Sequence, residues 1–195
     1  VMTDSLISLL LPTRGRPPLV LRLFESIRER TRNLDRVEVV LYVDEDDLAS
    51  HSLNHDAFKV KVIIGPRLTM GGYNTACLAN AEGQIVILIN DDMLIRTSGW
   101  DEVVREMDSR FPDKIYLAYG NDLFKGKKLC SFPILSRRAC EILAEPFPVS
   151  YKGAFIDYHL LDIFKRVQHA GHYRICYLEH LIFEHLHYRT GKAEF

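Results

Sequence analysis

The chain has 195 residues, 47% of them hydrophobic, and its 25 basic and 26 acidic side chains leave a formal net charge of -1. A chain of this size buries on the order of 70% of its unfolded surface as one domain, and its near-neutral balance excludes a global electrostatic pull toward nucleic acid or an anionic membrane. Its 4 cysteines, Cys77, Cys130, Cys140 and Cys176, lack CxxC spacing, which excludes a zinc ribbon or a small disulfide framework and predicts reduced core thiols in a cytoplasmic protein.

Residues 6–11 are an apolar run closed by Pro12, and Pro17-Pro18 then opens a segment with Leu19, Leu23, Phe24 and Ile27 at helical spacing. This predicts strand, loop and helix. A second β-branched strand over 37–43 ends in Asp44-Glu45-Asp46-Asp47, and a third over 60–64 ends in Gly65-Pro66, with a short helix over 73–79 behind Gly71-Gly72. A fourth strand covers 85–89. A helix over 100–107 follows, with Ser98 as its cap and Phe111-Pro112 as its stop, and then a fifth strand over 115–119. Alternation of this kind predicts a mostly parallel sheet. Beyond Gly120 the pattern gives a short extended piece over 132–135, a helix from a Ser136 cap through Leu143, a long helix over 154–170 stopped by Gly171, and strands over 173–177 and 181–183. No repeat or linker interrupts the chain, and no segment approaches the roughly 20 apolar residues that span a bilayer. The opening Val1-Met2-Thr3-Asp4 does not read as a signal peptide.

The fourth strand carries the strongest functional signal. Ile85-Val86-Ile87-Leu88-Ile89 runs straight into Asn90-Asp91-Asp92, so a strand buried on both faces delivers two carboxylates to its carboxyl end. In open α/β sheets that edge binds ligands. Adjacent like charges are costly unless compensated, and a divalent cation with a phosphorylated substrate is the usual compensation. The plainer alternative is that one carboxylate caps a helix starting near Thr97 or Ser98 and the other is solvated. Asp44-Glu45-Asp46 repeats the pattern after the second strand, and Glu184-His185-Leu186-His187 adds imidazoles near the end. Oxygen donors with an occasional imidazole suit magnesium or manganese better than zinc. His185 and His187, two apart on a strand, share a face and could reach one site, although such a pair taken alone is more often structural than metal-binding. In the long helix, Asp157 falls in the first turn, where the helix dipole favours its charge, and Asp162 is spaced for an i,i+4 ion pair with Arg166.

Read in order, these pieces resemble the family-2 group of GT-A glycosyltransferases, inverting and metal-dependent enzymes that use nucleotide sugars. The resemblance runs from Leu6 to Phe195. It rests on Leu11-Pro12-Thr13-Arg14, Tyr42-Val43-Asp44-Glu45-Asp46, the segment Asn74 to Gly83, Ile89-Asn90-Asp91-Asp92 at the place of the DXD motif, the acidic segment from Asp157 to Gly171, and Glu184-His185-Leu186-His187 with Gly191-Lys192. It implies an α/β, Rossmann-like GT-A fold, a mostly parallel sheet flanked by helices, as a single domain over 1–195. Residues 1–120 would form the nucleotide-sugar-binding half and 121–195 the acceptor and catalytic half.

The same resemblance implies that Pro12, Thr13 and Arg14 line the nucleotide pocket, that Asp44 accepts a hydrogen bond from the base, and that Arg67 and Asn74 flank the phosphates or nucleoside. Asp92, with His185 or His187, would hold Mn2+ or Mg2+ against the diphosphate, with Asn90 or Asp91 near the ribose or a metal-bound water. Asp157 would be the catalytic base, with His159 and Asp162 as lesser candidates. An amide, Asn90, stands where the family usually has its first acid. The implied partners are a nucleotide-diphosphate sugar and an acceptor hydroxyl on a polysaccharide, a lipid-linked molecule or a modified nucleic acid. Lys125, Lys127, Lys128, Arg137 and Arg138 would suit an anionic acceptor. Two rivals are a sugar-1-phosphate nucleotidyltransferase, whose N-terminal loop Arg14-Gly15-Arg16-Pro17 faintly resembles, and a non-catalytic nucleotide-sugar-binding module.

Overall fold

The computed structural model describes residues 4–191. Strand β1 (Ile7–Thr13) leads to helix α1 (Pro17–Arg30), whose first turn takes Pro17 and Pro18 where no helical N–H is required. Strands β2 (Val37–Asp44) and β3 (Lys59–Gly65) follow, then helix α2 (Met70–Asn80), strands β4 (Ile85–Leu88) and β5 (Met93–Ile95), and helix α3 (Trp100–Ser109). The remainder is β6 (Leu117–Asn121), β7 (Ile134–Ser136), α4 (Arg137–Ile142), α5 (Ile156–His169) and β8 (Ile175–His185).

The strands form one sheet in the order β3-β2-β1-β4-β7-β6-β8-β5. Its β3-β2-β1-β4 half is wholly parallel, and β6 runs parallel to β8, whereas β7 is antiparallel to both β4 and β6, and β5 is antiparallel to β8. Alternate residues of each central strand therefore enter opposite cores. Leu9 and Leu11 pack with Phe24, Ile27 and Trp100 beneath α1 and α3, while Leu10 packs with Cys77, Leu160 and Phe164 beneath α2 and α5. Cys77, Cys130 and Cys140 are buried and Cys176 is half-buried, all as free thiols. Burial pushes the Cys77 and Cys140 thiols up to about 12. Asp162 and Arg166 make the expected ion pair at 2.8 Å. No helix among the described residues is long and apolar enough to cross a membrane.

Several elements depart from the sequence expectation. Helix α2 begins at Met70 because Thr69 caps it, its hydroxyl accepting from the Gly72 N–H at 3.0 Å. The cap of α3 is Gly99, with φ +70°, and Ser98 instead takes a hydrogen bond from Arg30. Ile89 lies beyond β4, and the pair of expected terminal strands is one strand, β8, which passes an irregularity opposite Gly120 and Asn121. The division at residue 120 does not divide the sheet, since β7 lies between β4 and β6.

One close approach sets the entrance to α2. A Cβ on Gly71 would lie 1.8 Å from the Pro148 carbonyl oxygen, and the N–H groups of Met70 and Gly71 donate to the carbonyls of Lys152 and Tyr151 at 3.1 and 3.0 Å. This binds the segment before α5 to the start of α2. Gly71→Ala is expected to destabilise the protein by about 1–3 kcal/mol through overpacking, measurable as a lower urea midpoint with an unchanged slope.

Candidate active site

Strands β1, β2 and β4 are parallel, so Thr13, Asp44 and the segment after Leu88 end at one sheet edge. Strands β6 and β8 also finish there, because β7 reverses direction between β4 and β6. Two backbone hydrogen bonds close the arrangement: the His185 N–H donates to the Asp122 carbonyl at 3.0 Å, and the Leu186 N–H to the Asp92 carbonyl at 2.8 Å. Five strand ends meet there, and those of β2, β4 and β6 bring carboxylates together.

Most of those carboxylates are fully engaged. Asp44, 1% exposed, accepts from Arg14 at 2.8 Å on one oxygen and from the Tyr73 hydroxyl at 2.6 Å on the other. Arg14 also grips the exposed Asp46 with both terminal nitrogens. Asp44 can therefore meet a nucleobase only through its remaining lone pairs or by exchanging a partner. Asp91 is turned inward, away from the cavity described below: it accepts from Thr13 at 2.8 Å and pairs with Arg16 at 3.0 Å. Burial, the largest influence, raises its carboxyl above the ordinary range. Asp91 is not among the residues that line the cavity, and its Oδ1, which faces Arg16, makes no hydrogen bond among the described residues. Its work is to hold the ends of β1 and β4 together, and Thr13 is its partner in that contact.

Asp92 differs. One oxygen lies 3.2 Å from His185 Nε2, and the other, Oδ1, is buried with no hydrogen-bond partner among the described residues. Burial pushes its carboxyl up, but the His185 hydrogen bond and the His185 and Arg16 charges together outweigh burial and hold it below the ordinary range. Beyond the ring, His185 Nδ1 faces Asp122 Oδ2 at 4.0 Å. Asp122, 2% exposed, takes the N–H groups of Phe124, Lys125 and Gly126 on Oδ1 and the Ser131 hydroxyl on Oδ2. His187 packs against His185 with ring centroids 5.1 Å apart, and its Nδ1 accepts from the Arg189 N–H at 3.2 Å. A neutral ring bonded in this way carries its proton on Nε2, so binding a cation at Nε2 would require the other tautomer and loss of the Arg189 contact.

These groups open onto a cavity of 580 Å³, of the size that holds small-molecule ligands. Asn90, Asp92, His185 and His187 line it, as does Asp157 in the first turn of α5. Burial raises the Asp157 carboxyl, more than its hydrogen bond from the Tyr158 N–H lowers it. The residue before α5, Phe155, holds φ +86° and is 63% exposed, a backbone state that costs a bulky residue about 1–3 kcal/mol. Asn74, 4% exposed, also lines the cavity. Its amide donates to the Met70 carbonyl at 3.1 Å, which leaves Oδ1 buried and unpartnered among the described residues. That acceptor suits a ligand hydroxyl better than a phosphate.

Other expected residues lie apart from the cavity walls. Pro12 and Arg14 stand at the end of β1, and Arg67 is exposed beyond β3. His159 faces the Tyr151 hydroxyl at 3.2 Å, and Asp162 is exposed in its ion pair, so neither lines the cavity. Arg137 is structural, with its guanidinium donating to the Gly83 and Ala81 carbonyls at 2.8 and 2.6 Å. Of the lysines after Gly120, Lys125 reaches the cavity, as does Arg189. Lys192 lies outside the described residues. Sequence reasoning missed Asp122, although a buried strand ending in Gly120-Asn121-Asp122 repeats the signature of the fourth strand.

Residues 8–129, more than half of the chain, match the family model for glycosyl transferase family 2. The chain belongs to glycosyl transferase family 2. This family 2 domain matches the mannosyltransferase PcManGT of Pyrobaculum calidifontis, solved with GDP-Man and Mn2+, at a TM-score of 0.71 and 15% identity, covering 95% of this chain and 58% of that one. It matches TarS of S. aureus at 0.68 and 16%, covering 91% and 36%, and TarS 1–349 in complex with UDP-GlcNAc at 0.63 and 15%, covering 97% and 62%. The chain thus spans less than two thirds of each, and likeness at such identity establishes the GT-A fold. No curated protein matches. Asp157, His185 and His187 lie beyond the matched segment of the family 2 domain.

Asp122→Ala would leave three backbone N–H groups and a hydroxyl unpaired beneath His185. It is expected to cost on the order of 3 kcal/mol, the scale of hydrogen bonds to a buried charge, read by denaturant unfolding, and to speed amide exchange at Phe124, Lys125 and Gly126.

Proposed function

We propose that the chain transfers a glycosyl group from a nucleoside diphosphate sugar to an acceptor hydroxyl by a single, inverting displacement that uses Mn2+ or Mg2+. The observation that carries this reading is the pair of carboxyl groups in one cavity with opposite environments: Asp92 is held below the ordinary range and Asp157 above it. Carboxyl groups separated in this way divide into a fixed charge and a proton-transfer group. Residues 1–195 would act as one unit, with the donor held largely by residues before 120 and the base supplied from beyond it.

The donor set supports a hard cation. Asp92 Oδ1 is buried and unpartnered, two imidazoles adjoin it, and no group of three or more His, Cys, Asp or Glu among the described residues would hold a metal alone. Such sparse ligation leaves positions for diphosphate oxygens and water. When bound, the ion neutralises charge building on the leaving diphosphate. Lys125, Arg189 and the His187 ring, all on the cavity wall, add donors for the same oxygens. PcManGT was solved with GDP-Man and Mn2+, and TarS 1–349 with UDP-GlcNAc, which supports a donor of this class here. Arg14, Asp44, Pro12 and Arg67 are assigned to the nucleoside, Asn90 to the ribose side, and Asn74 to a sugar hydroxyl. Free thiols suit the cytoplasmic setting expected from the sequence.

Asp157 accepts the acceptor's proton as the hydroxyl oxygen attacks the anomeric carbon. The burial that raises its carboxyl makes it a better base than an exposed carboxylate. Asp157→Asn is expected to lower kcat by about 10²–10⁴-fold, the usual worth of a positioned base. In the parent, activity falls as pH drops through the raised Asp157 value, so the acid limb of the kcat profile lies above the range of an exposed carboxylate. A limb at the ordinary carboxylate range would remove Asp157 from this role.

Incubation with UDP- or GDP-sugars and Mn2+ is expected to release nucleoside diphosphate. EDTA should stop the reaction, Mn2+ should restore it, and Asp92→Ala should raise the Mn2+ concentration needed by at least about tenfold. Release of pyrophosphate would point instead to a nucleotidyltransferase, and nucleotide binding without turnover across acceptors to a non-catalytic module.

A further inference from the structure

Three large aromatic rings stand exposed around the cavity that holds Asp92 and Asp157. Phe155 is 63% exposed, Tyr158 50% and Tyr188 57%, and all three line that cavity. Phe155 and Tyr158 bracket Asp157 in sequence, and their ring centroids lie 5.8 Å apart with planes inclined at 51°. Tyr188 stands on the histidine side, 4.2 Å from the His187 ring.

Nothing in the fold accounts for the first pair. An exposed phenylalanine gains little from burial, and this one occupies the left-handed backbone region that favours glycine. The segment carrying it is nonetheless fixed, because the carbonyls of Tyr151 and Lys152 take the first N–H groups of α2. Asn74, 4% exposed, lines the same cavity, and its Oδ1 is buried without a hydrogen-bond partner among the described residues. Aromatic faces, a buried hydroxyl acceptor and a carboxylate base adjoin one space.

We infer that Phe155 and Tyr158 form the acceptor subsite and that the acceptor is a glycan whose terminal pyranose ring rests on them. A pyranose has an axial C–H face that matches the negative face of an aromatic ring, and hydroxyl groups around its rim that meet Asn74 and Asp157. A ringless polyol or an amino-acid hydroxyl offers no such face. The inference rests on Asp157 as the base, since the group that takes the acceptor's proton must lie beside the acceptor, which assigns the rings around it to the acceptor rather than to the donor.

The test is saturation-transfer NMR on the full chain with methyl β-glucopyranoside, methyl α-mannopyranoside, methyl N-acetyl-β-glucosaminide and glycerol, with UDP or GDP and Mn2+ present. At least one pyranoside should receive saturation at its ring C–H protons, and the signal should fall about fivefold in Phe155→Gly and in Tyr158→Ala, the worth of one aromatic contact. Phe155→Gly relieves the positive φ, so its Tm should equal or exceed the parent's. Absence of any pyranoside signal, a glycerol signal of equal strength, signals unchanged in both variants, or a lower Tm in Phe155→Gly would each overturn the subsite. Nucleotide protons in the same samples report on the donor separately. Nucleotide signal without sugar signal sinks the acceptor shelf alone, and sugar signal without nucleotide signal sinks the proposed donor chemistry.

Discussion

The site depends on two successive peptide groups at the end of β8. Neighbouring amides on a strand point to opposite sides, so His185 and Leu186 tie two different loops, one through the Asp122 carbonyl and one through the Asp92 carbonyl. The bridge extends the β5–β8 and β6–β8 pairings out to the loops after β4 and β6. With it, Asp92, His185 and the Asp122 cradle form one wall whose spacing is set by backbone geometry rather than by long flexible side chains.

Electrostatics then decides which groups remain available. Carboxylates gathered at one edge repel unless each is compensated. Asp44 has Arg14 and Tyr73, Asp91 has Thr13 and Arg16, and Asp122 has three amides and Ser131. These pairings bind strand ends together and compensate the charge of each residue. Asp92 keeps one unused oxygen, and Asp157 keeps a carboxyl whose charge is poorly solvated. A crowd of acids is thereby reduced to two with distinct properties.

The sequence made most of this architecture legible. The runs ending at Leu11, Val43 and Ile89 are largely apolar, the last two rich in β-branched residues, and such strands need no partner to be recognised. Strand β5 was hidden because Met93-Leu94-Ile95 is too short to show a period and exists by pairing with β8. The α2 cap at Thr69 lay before two glycines that read as a turn. At the site, position in the motif located Asp92 and Asp157 on the cavity, but it could not separate Asp91 from Asp92: adjacent residues differ in role only through which way the turn faces them. Asp122 lacked a neighbouring acid to draw attention, and the exposed rings of Phe155 and Tyr158 resemble ordinary helix residues until their surroundings are known.

The Arg14 fork has a consequence for selectivity. Its side chain spans Asp44 and Asp46 across the very ground assigned to the nucleoside. A base arriving there enters a space already furnished with ion pairs, and it must replace an existing contact with one at least as good. Such a pocket chooses its guest by substitution, so a base of the wrong hydrogen-bonding pattern is rejected by the contacts it would break, even where its shape would fit.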